Sequence, residues 1–268
     1  FGNGDKYFGV CALLTTLPGL PMIGHGQIEG FREKYGMEYR RAYWEERPDE
    51  GLMAHHERVI YPLIRRRYIF AEVENFLLYD VFTPEGHVNE DVFAYSNRFN
   101  DERGLVIYHN KYAETRGWVK TSVGYMDKAS GEMKQRTLAE GLGLPADGYA
   151  VFRDTMSGLE YIRPCRELIE NGLYVELSAY KCHAFLDWRF VADPDGKWKA
   201  VYESLNGAGY WAMQAKWDEM FKPVVEEVKV EKKKRVTRKK SVGEKKVAGK
   251  KATSRKPRAK KAVKSPES

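Results

Sequence analysis

Alternation of apolar and polar residues in the middle of the chain constrains its fold most strongly. Three runs repeat with period two, and turn-forming clusters separate them: ENFLLYDVF (74–82), DVFAYSNRF (91–99) and RGLVIYHNKYA (103–113). Successive side chains of a strand point to opposite faces of a sheet, so this period is typical of half-buried strands joined by short turns. The centre of the chain is therefore predicted to form an antiparallel sheet.

The strand pattern continues towards the C-terminus. Short helices are expected over 164–170, where Asn171-Gly172 ends the helix, and over 210–221. Residues 113–140 have no clear period, and we expect loop there with one short helix. Further strands are predicted in YAVFRDT, LEYIRP, LYVELSAY, HAFLDWRFV and WKAVYES, with Asp193 to Gly196 as a hairpin loop.

The N-terminal stretch has a different pattern. Residues 6–17 are apolar enough for a buried helix, and Pro18-Gly19 stops it. Residues 20–24 are short, apolar and bounded by Pro and Gly, which predicts a strand buried on both sides, as in a parallel sheet. A competing interpretation is a helix packed on the following β domain, with PMIGHG as a loop.

Residues 51–71 follow helical rather than strand spacing. Apolar and long side chains recur on one face, which predicts an amphipathic helix, and Pro62 predicts a kink in it. Adjacent His55 and His56 point about 100° apart on a helix, so a solvated face is favoured over a metal site. The residues on the apolar face are Leu52, His56, Val59 or Ile60, Leu63 and Arg67.

The last forty residues differ sharply in charge from the rest. Residues 229–268 contain 18 Lys or Arg and 3 Glu, a net charge of +15, whereas residues 1–228 carry 27 basic and 35 acidic residues, a net charge of −8. The segment 229–268 also lacks aromatic residues and an apolar face. Such a composition cannot offset the entropy of ordering, so a disordered basic tail is predicted.

The run LTTLPGLPMIGHGQIEG, from residue 14 to residue 30, carries a family resemblance. With Leu13 it is similar to the segment LLLTLPGxPxIYxGQE of the α-amylase family, glycoside hydrolase family 13, with one extra residue before Glu29 and His25 in place of the common Tyr. ERVIYPLIRRR resembles the family's eighth barrel helix, and VFAYSNRFNDERGLVIYHN resembles the start of its C-terminal β domain. The resemblance covers about residues 1–112 well and residues 113–228 only as a β-rich region.

The resemblance implies an α/β plus all-β chain. Residues 1–72 would be the last strand-helix unit of a (β/α)8 catalytic barrel, 73–228 an antiparallel β-rich C-terminal domain of β-sandwich type with short helices, and 229–268 the disordered basic tail. A single parallel strand has two open edges and needs neighbours from elsewhere. Because the chain starts at Phe1 rather than Met, we also expect sequence to precede it.

No catalytic residue is assigned in this chain. The family's catalytic Asp, Glu and His-Asp pair would come from earlier barrel strands, and neither Asn3 nor Asp5 matches the His-Asp motif. Retaining glycoside hydrolysis needs two carboxyl groups about 5 Å apart on rigid strand ends. The chain alone is therefore predicted to be inactive, with its cofactors unknown.

Five residues are candidate substrate-binding groups. His25, Gln27 and Glu29 would follow the eighth barrel strand at the end where such barrels hold substrate, although a purely structural role in a tight turn is the favoured alternative. Tyr43 and Trp44, flanked by charged residues, are the best candidates for stacking on sugar rings. No metal ligands are expected.

Several functional hypotheses remain open. The first is the C-terminal part of an α-glucosidic enzyme whose barrel binds an α-glucan or oligosaccharide. The second is a non-enzymatic protein tethered by its tail to nucleic acid or another polyanion. The third is a carbohydrate-binding module that never had a barrel.

The cysteines and hydropathy bear on location. Cys11, Cys165 and Cys182 are too few and too scattered for a disulfide framework, which favours a reducing, cytoplasmic location. Cys182 and His183 should point to opposite faces of a strand, so they cannot form a catalytic pair with each other. No apolar run reaches the roughly 20 residues that span a bilayer.

Overall fold

A computed structural model describes residues 2–33 and 41–222. Its strands are β1 (Leu77–Phe82), β2 (Val92–Phe99), β3 (Glu102–His109), β4 (Thr115–Ser122), β5 (Tyr125–Met126), β6 (Met133–Lys134), β7 (Tyr149–Asp154), β8 (Glu160–Pro164), β9 (Leu173–Leu177) and β10 (Cys182–Val191). Eight of them form one sheet in the order β8-β7-β10-β3-β2-β1-β4-β9, and β5 pairs separately with β6. Every neighbouring pair is antiparallel. The predicted antiparallel sheet is confirmed.

Helices lie on both faces of this sheet. A π-helical segment, His56–Ile60, joins α2 to α3, and a 3-10 turn, Arg67–Ile69, follows α3. The helices are α1 (Asp5–Thr16), α2 (Glu50–His55), α3 (Tyr61–Arg65), α4 (Leu138–Leu142), α5 (Cys165–Glu170), α6 (Lys197–Leu205) and α7 (Met213–Phe221).

Strands β1 to β3 form the meander predicted from the period-two runs. β2 and β3 pair along their whole length, and the two-residue turn between them contains Asn100 at a positive φ of 52°. Tight hairpin turns require such left-handed backbone, which Asn tolerates better than most residues. The residues between the second and third period-two runs therefore form the turn that their composition predicts.

The first core lies between α1, the helix from α2 to α3, and the middle of the sheet. Gly9 is the closest point of contact: a Cβ built there would lie 2.0 Å from a ring carbon of Tyr108. Only glycine allows α1 to approach β3 this closely. The buried residues of this face are Phe8, Cys11, Ala12, Leu52, Val59, Ile60, Leu63, Ile69, Phe70, Tyr95, Val106, Tyr108, Cys182, Ala184 and Leu186.

The predicted helix over 51–71 is confirmed in its apolar face but not in its regularity. Leu52, His56 and Leu63 are buried on the face that the spacing predicts. Pro62 has no N–H to donate and its ring would clash with the preceding turn, so a regular α-helix cannot run through it. The chain instead adopts the wider π turns of His56–Ile60 just before it.

The second core lies on the opposite face of the sheet. Strands from both ends of the sheet, β7 and β9, contribute to it together with α4 and α5, so the sheet curls into a half-barrel. Its buried residues include Leu77, Tyr79, Leu105, Ile107, Leu138, Leu142, Phe152, Cys165, Leu168, Leu173, Val175, Leu177 and Phe185. The parallel barrel unit and the two-sheet sandwich are not seen in the part of the chain described.

A third, smaller core corrects one predicted strand. WKAVYES is not a strand but most of α6. Trp198, Val201, Tyr202 and Leu205 recur at helical spacing, and all four pack in one cluster with residues of β7, β8 and α7. The predicted hairpin loop at 193–196 is instead a strand-to-helix turn.

Residues 113–140 contain β4 and the two short strands β5 and β6, none of which the sequence pattern predicted. Gly117, in the middle of β4, sits where a Cβ would lie 2.4 Å from the Phe82 carbonyl oxygen, so β1 and β4 approach too closely for a side chain there. A glycine and several polar residues hide the alternation that marks the other strands. The expected short helix is present as α4.

The strand predicted at residues 20–24 is not formed in the described chain. Helix α1 ends at Thr16 as expected, but the following residues have no strand pairing within the described ranges. Leu20 is 92% exposed and Met22 79% exposed. A parallel strand needs a neighbour on each side, and the antiparallel sheet offers none here. The local structure matches the competing interpretation, a helix on the β domain followed by a loop.

The basic tail, residues 229–268, lies outside the described residues, so its predicted disorder stays a prediction.

Candidate functional site

The loop after α1 holds three of the predicted site residues. His25 is exposed, while Gln27 and Glu29 are half-buried. Gly26 adopts a φ of 70°, and a Cβ there would lie 2.7 Å from that of Phe31. The turn between His25 and Gln27 therefore requires glycine at position 26.

Gln27 ties this loop to the rest of the protein. Its Oε1 accepts a hydrogen bond from the Gly24 N–H at 3.1 Å, and its Nε2 donates to Cys11 Sγ at 3.8 Å. The Tyr7 hydroxyl donates to the Gln27 carbonyl at 3.2 Å. The side chain of Gln27 thus satisfies a backbone N–H of the turn and holds the loop against α1. Its role in binding substrate stays a prediction.

A buried histidine lies beneath the loop. His56 is 1% exposed, and its Nε2 lies 2.8 Å from the Tyr7 hydroxyl. Its Nδ1 is buried without a hydrogen-bond partner in the described chain. Burial lowers the pKa of His56, nearby His55 lowers it further, and the Glu29 carboxylate partly offsets both effects. The imidazole is therefore held neutral.

Tyr43 and Trp44 stand on a second segment. The two residues are 70% and 56% exposed. Their backbone N–H groups donate to the Glu33 carboxylate at 2.7 and 2.9 Å, while the Glu46 carboxylate accepts from the N–H groups of Arg32 and Glu33 at 2.8 and 2.9 Å. Two carboxylates therefore clamp the chain on either side of residues 34–40, which lie outside the described ranges, and present the two rings to solvent.

A second histidine site, which no pattern in the sequence indicated, lies on the other face of the sheet. His183 Nδ1 lies 2.9 Å from Oδ2 of Asp154, which is fully buried. Ser157 Oγ donates to the same oxygen at 2.7 Å. The backbone N–H groups of Ala184 and Met156 donate to Oδ1 at 3.0 and 3.1 Å. Burial opposes ionisation of Asp154, but these hydrogen bonds, led by that from His183, hold the pKa of its carboxyl below the ordinary value.

His183 faces a groove. As predicted, Cys182 points to the opposite face, where burial raises the pKa of its thiol. The groove has a volume of about 500 Å³ and lies between β7 and β8 on one side and β9 on the other. His183 stacks on Phe185 with an interplanar angle of 9°, and Phe152 stacks on Tyr161 at 19°. Two stacked ring pairs thus line the groove, which is an opening in the half-barrel.

The Asp154–His183 pair fixes which nitrogen is available. Because Nδ1 is occupied by the carboxylate, Nε2 is the ring nitrogen left on the groove side. Nε2 makes no hydrogen bond within residues 2–33 and 41–222 and is not enclosed. It can form a hydrogen bond with a ligand hydroxyl. The Ser157 hydroxyl is committed to Asp154, so the arrangement lacks the serine-histidine contact of a nucleophilic triad.

Two further classes of site are absent from the described parts of the chain. No group of three or more His, Cys, Asp or Glu there is arranged to hold a metal ion. No helix in the same ranges is long and apolar enough to cross a membrane.

Comparison with known proteins gives distant likenesses only. No protein-family model matches the chain, and no curated protein matches it in sequence. Among solved structures, it is similar to an α-amylase from Geobacillus thermoleovorans in complex with acarbose, with 13% identity, a TM-score of 0.46, and 69% of this chain and 34% of that chain covered. It is also similar to a cyclomaltodextrin glucanotransferase with a three-domain ABC distribution, with 17% identity, a TM-score of 0.43, and 70% and 33% covered.

A maltogenic α-amylase from Thermotoga neapolitana is a third such neighbour, with 14% identity, a TM-score of 0.42, and 68% of this chain and 36% of that chain covered. The chain spans about a third of the length of each of these structures. At these identities and TM-scores the likeness establishes neither a family nor an activity for the chain.

Proposed function

We propose that this chain is the C-terminal part of an α-amylase-like glycoside hydrolase acting on α-glucosidic bonds. Residues 1–72 would complete a catalytic barrel, and 73–228 would form the β-rich domain after it. One observation carries the proposal: the motif that resembles the α-amylase family ends α1 and then exposes Leu20 and Met22 almost completely.

Exposed apolar side chains in a loop of this kind are costly. Burying apolar surface is worth about 25 cal/mol per Å². An added barrel strand on each side of residues 20–24 would cover Leu20 and Met22 and would supply the backbone hydrogen bonds that the amides of Leu20, Met22 and Ile23 lack in the described chain. The resemblance therefore accounts for a feature that is unfavourable in the chain alone.

The candidate substrate groups fit this arrangement. His25, Gln27 and Glu29 follow the exposed segment and would lie at the barrel end that holds the sugar. The exposed rings of Tyr43 and Trp44 are suited to stacking on pyranose faces. The catalytic carboxylates would come from barrel strands that precede the motif, so the chain by itself would bind without turning over substrate.

A maltoheptaose assay that follows release of reducing ends tests this proposal. We expect no turnover by residues 1–268 and clear turnover by a longer protein that includes the preceding strands. Turnover by residues 1–268 alone would contradict the proposal, as would inactivity of the longer protein on all α-glucans.

A matched pair of variants in the longer protein sharpens the assay. Glu29→Gln should lower kcat/KM about tenfold, the effect of one lost charge-assisted hydrogen bond. Glu170→Gln, at an exposed position of α5, should leave it unchanged. Equal effects of the two substitutions would remove Glu29 from the sugar site.

A further inference from the structure

A half-buried arginine lies beneath the start of the loop that resembles the α-amylase family. Arg67, the first residue of the 3-10 turn after α3, extends its side chain to this loop and donates from Nη2 to the Gly19 carbonyl. Its Nε and Nη1 are both buried and have no hydrogen-bond partner in the described chain. Two of the three guanidinium nitrogens are thus removed from water without a replacement partner.

No carboxylate of the described chain compensates the charge of Arg67. It forms no ion pair within residues 2–33 and 41–222. Its neighbour differs, because Arg66 pairs with Glu102 at 2.5 Å and with Asp187 at 2.6 Å. Of two consecutive arginines, one therefore finds its carboxylates within this chain and the other does not.

The surroundings of Arg67 are neutral. Tyr95 attracts its charge, but burial raises the pKa of the Tyr95 hydroxyl, so the phenol stays protonated. That hydroxyl lies 2.5 Å from Thr16 Oγ1, which itself donates to the Ala12 carbonyl at 2.6 Å. Burial lowers the pKa of the Arg67 guanidinium, and Tyr95 offsets only part of this effect. The guanidinium nevertheless keeps its charge, since arginine does not lose its proton in proteins.

The chemistry of this guanidinium defines the partner that it requires. A charge removed from water is stable in a folded protein only when it is paired or coordinated. The dipole of α1 attracts cations at its C-terminal end, but the attraction weakens beyond the last turn, and Gly19 lies past the end of α1 at Thr16. A carboxylate neutralises the charge and accepts two parallel hydrogen bonds from one guanidinium. The missing partner of Arg67 is therefore an Asp or Glu side chain.

The surface above Arg67 is apolar. Gly19, whose carbonyl covers the guanidinium, is exposed, and so are Leu17 before it and Leu20 and Met22 after it. We call this feature the Arg67 surface, defined by Leu17, Leu20, Met22 and Arg67. One cation among exposed apolar side chains is complementary to an apolar segment that carries one carboxylate.

We propose that the Arg67 surface docks a second polypeptide segment, with an Asp or Glu of that segment on the guanidinium and its apolar side chains on Leu20 and Met22. This inference rests on the proposed function, because a barrel strand that would precede the motif supplies the segment. Pairing of residues 20–24 with that strand would displace the Gly19 carbonyl and open Arg67 to the carboxylate. Arg67 thus serves docking and destabilises the chain that lacks its partner.

Thermal unfolding of residues 1–268 gives the first test. Arg67→Met replaces the unpaired cation with an apolar side chain, so we expect the midpoint to rise by about 3 °C. Arg67→Gln removes the same charge and should also raise it, which keeps the test valid if the methionine variant does not fold. Arg66→Met is the matched control and should lower the midpoint, because it removes two ion pairs. A fall in the Arg67 variants as well would show that this chain satisfies Arg67, and would overturn the inference.

The same substitutions in a longer protein that includes the preceding strands give the second test. There Arg67→Met leaves the partner's carboxylate buried and unpaired, so the midpoint should fall by several degrees. The effect of Arg67→Met thus reverses its sign between the two proteins. Arg67→Lys keeps the charge and should lower the midpoint of the longer protein less than Arg67→Met does.

The outcomes separate this inference from the proposed function. Turnover of maltoheptaose by the longer protein, with a rise for Arg67→Met in both proteins, would overturn docking at Arg67 and leave the proposed function intact. Reversal of the sign in a longer protein that is inactive on all α-glucans would support docking and contradict the proposed function. Dimerisation of residues 1–268 that Arg67→Met abolishes would assign the carboxylate to a second copy and overturn the inference.

Discussion

Two of the three buried histidines in the described chain, His56 and His183, differ in the group to which they are hydrogen-bonded. His56 is bonded to a neutral phenol, has one ring nitrogen without a partner in the described chain and lies in a helical segment beneath the loop that resembles the α-amylase family. His183 is bonded to a buried carboxylate and opens on a groove. The carboxylate partner orients the His183 ring so that its free nitrogen faces the groove, whereas the phenol and His56 form a cluster that is closed to solvent. The His183 arrangement therefore suits contact with a ligand, and the His56 arrangement suits stabilisation of the loop above it.

Removal of the Asp154 carboxylate should cause the largest loss of stability among the variants that test this comparison. Asp154→Ala leaves the four donors that converge on Asp154 without an acceptor in a buried site. We expect a loss of about 3 to 5 kcal/mol in the free energy of unfolding, measured by urea denaturation. Asp147→Ala, which removes an ion pair whose carboxylate is 84% exposed, should cost under about 1 kcal/mol. Similar losses in the two variants would show that the Asp154 cluster is not stabilising.

The pH dependence of stability should separate the two histidine sites. The pKa of Asp154 is depressed in the folded state, so its contribution is present above the unfolded value of about 4 and is lost as the pH falls through the folded value. The pKa of His56 is also depressed, so its contribution is lost as the pH falls below the unfolded value of about 6.5. This window lies above that of Asp154. The two sites should therefore act in different pH windows.

Substitution of the histidine isolates the upper window. His56→Gln should flatten the decline of the free energy of unfolding between about pH 6.5 and 5, whereas His87→Gln, at an exposed turn, should not. Denaturation curves at several pH values give this slope. An unchanged slope in His56→Gln would mean that His56 becomes protonated in the folded protein.

Release of the loop should have the smallest effect. Gln27→Ala removes one hydrogen bond to the Gly24 N–H and one to a sulfur atom, so we expect a loss of about 1 kcal/mol and faster amide exchange confined to residues 24–30. Gln214→Ala, which removes an exposed contact within α7, provides the control. Unchanged exchange in the loop of Gln27→Ala would rule out the bracing role.

Local patterns predicted much of the fold. Strands β1 to β3, helix α1 and the buried face of the helix at Leu52 follow from the spacing of apolar residues and from the turn-forming residues that bound each element. Strand β4 was missed because Gly117 serves a contact with β1 that no local pattern records. Helix α6 was assigned as a strand because its Trp, Val and Tyr favour strands, although their spacing fits a helical face.

The candidate sites likewise differ in how far the sequence could predict them. The His25–Glu29 loop is contiguous, so its grouping was visible in the sequence. Asp154 and His183 lie 29 residues apart and meet because β7 pairs with β10 in a register that places Asp154 opposite Phe185. Register across distant strands depends on the whole sheet, and no spacing in a single sequence encodes it.

Hydrogen exchange at Leu20, Met22 and Ile23 tests the central claim most directly. These amides make no backbone hydrogen bond in the described chain, so they should exchange within seconds in residues 1–268. In a longer protein that includes the preceding strands, the account predicts slowing by several orders of magnitude as residues 20–24 pair into the barrel. Fast exchange of these amides in the longer protein would contradict the account.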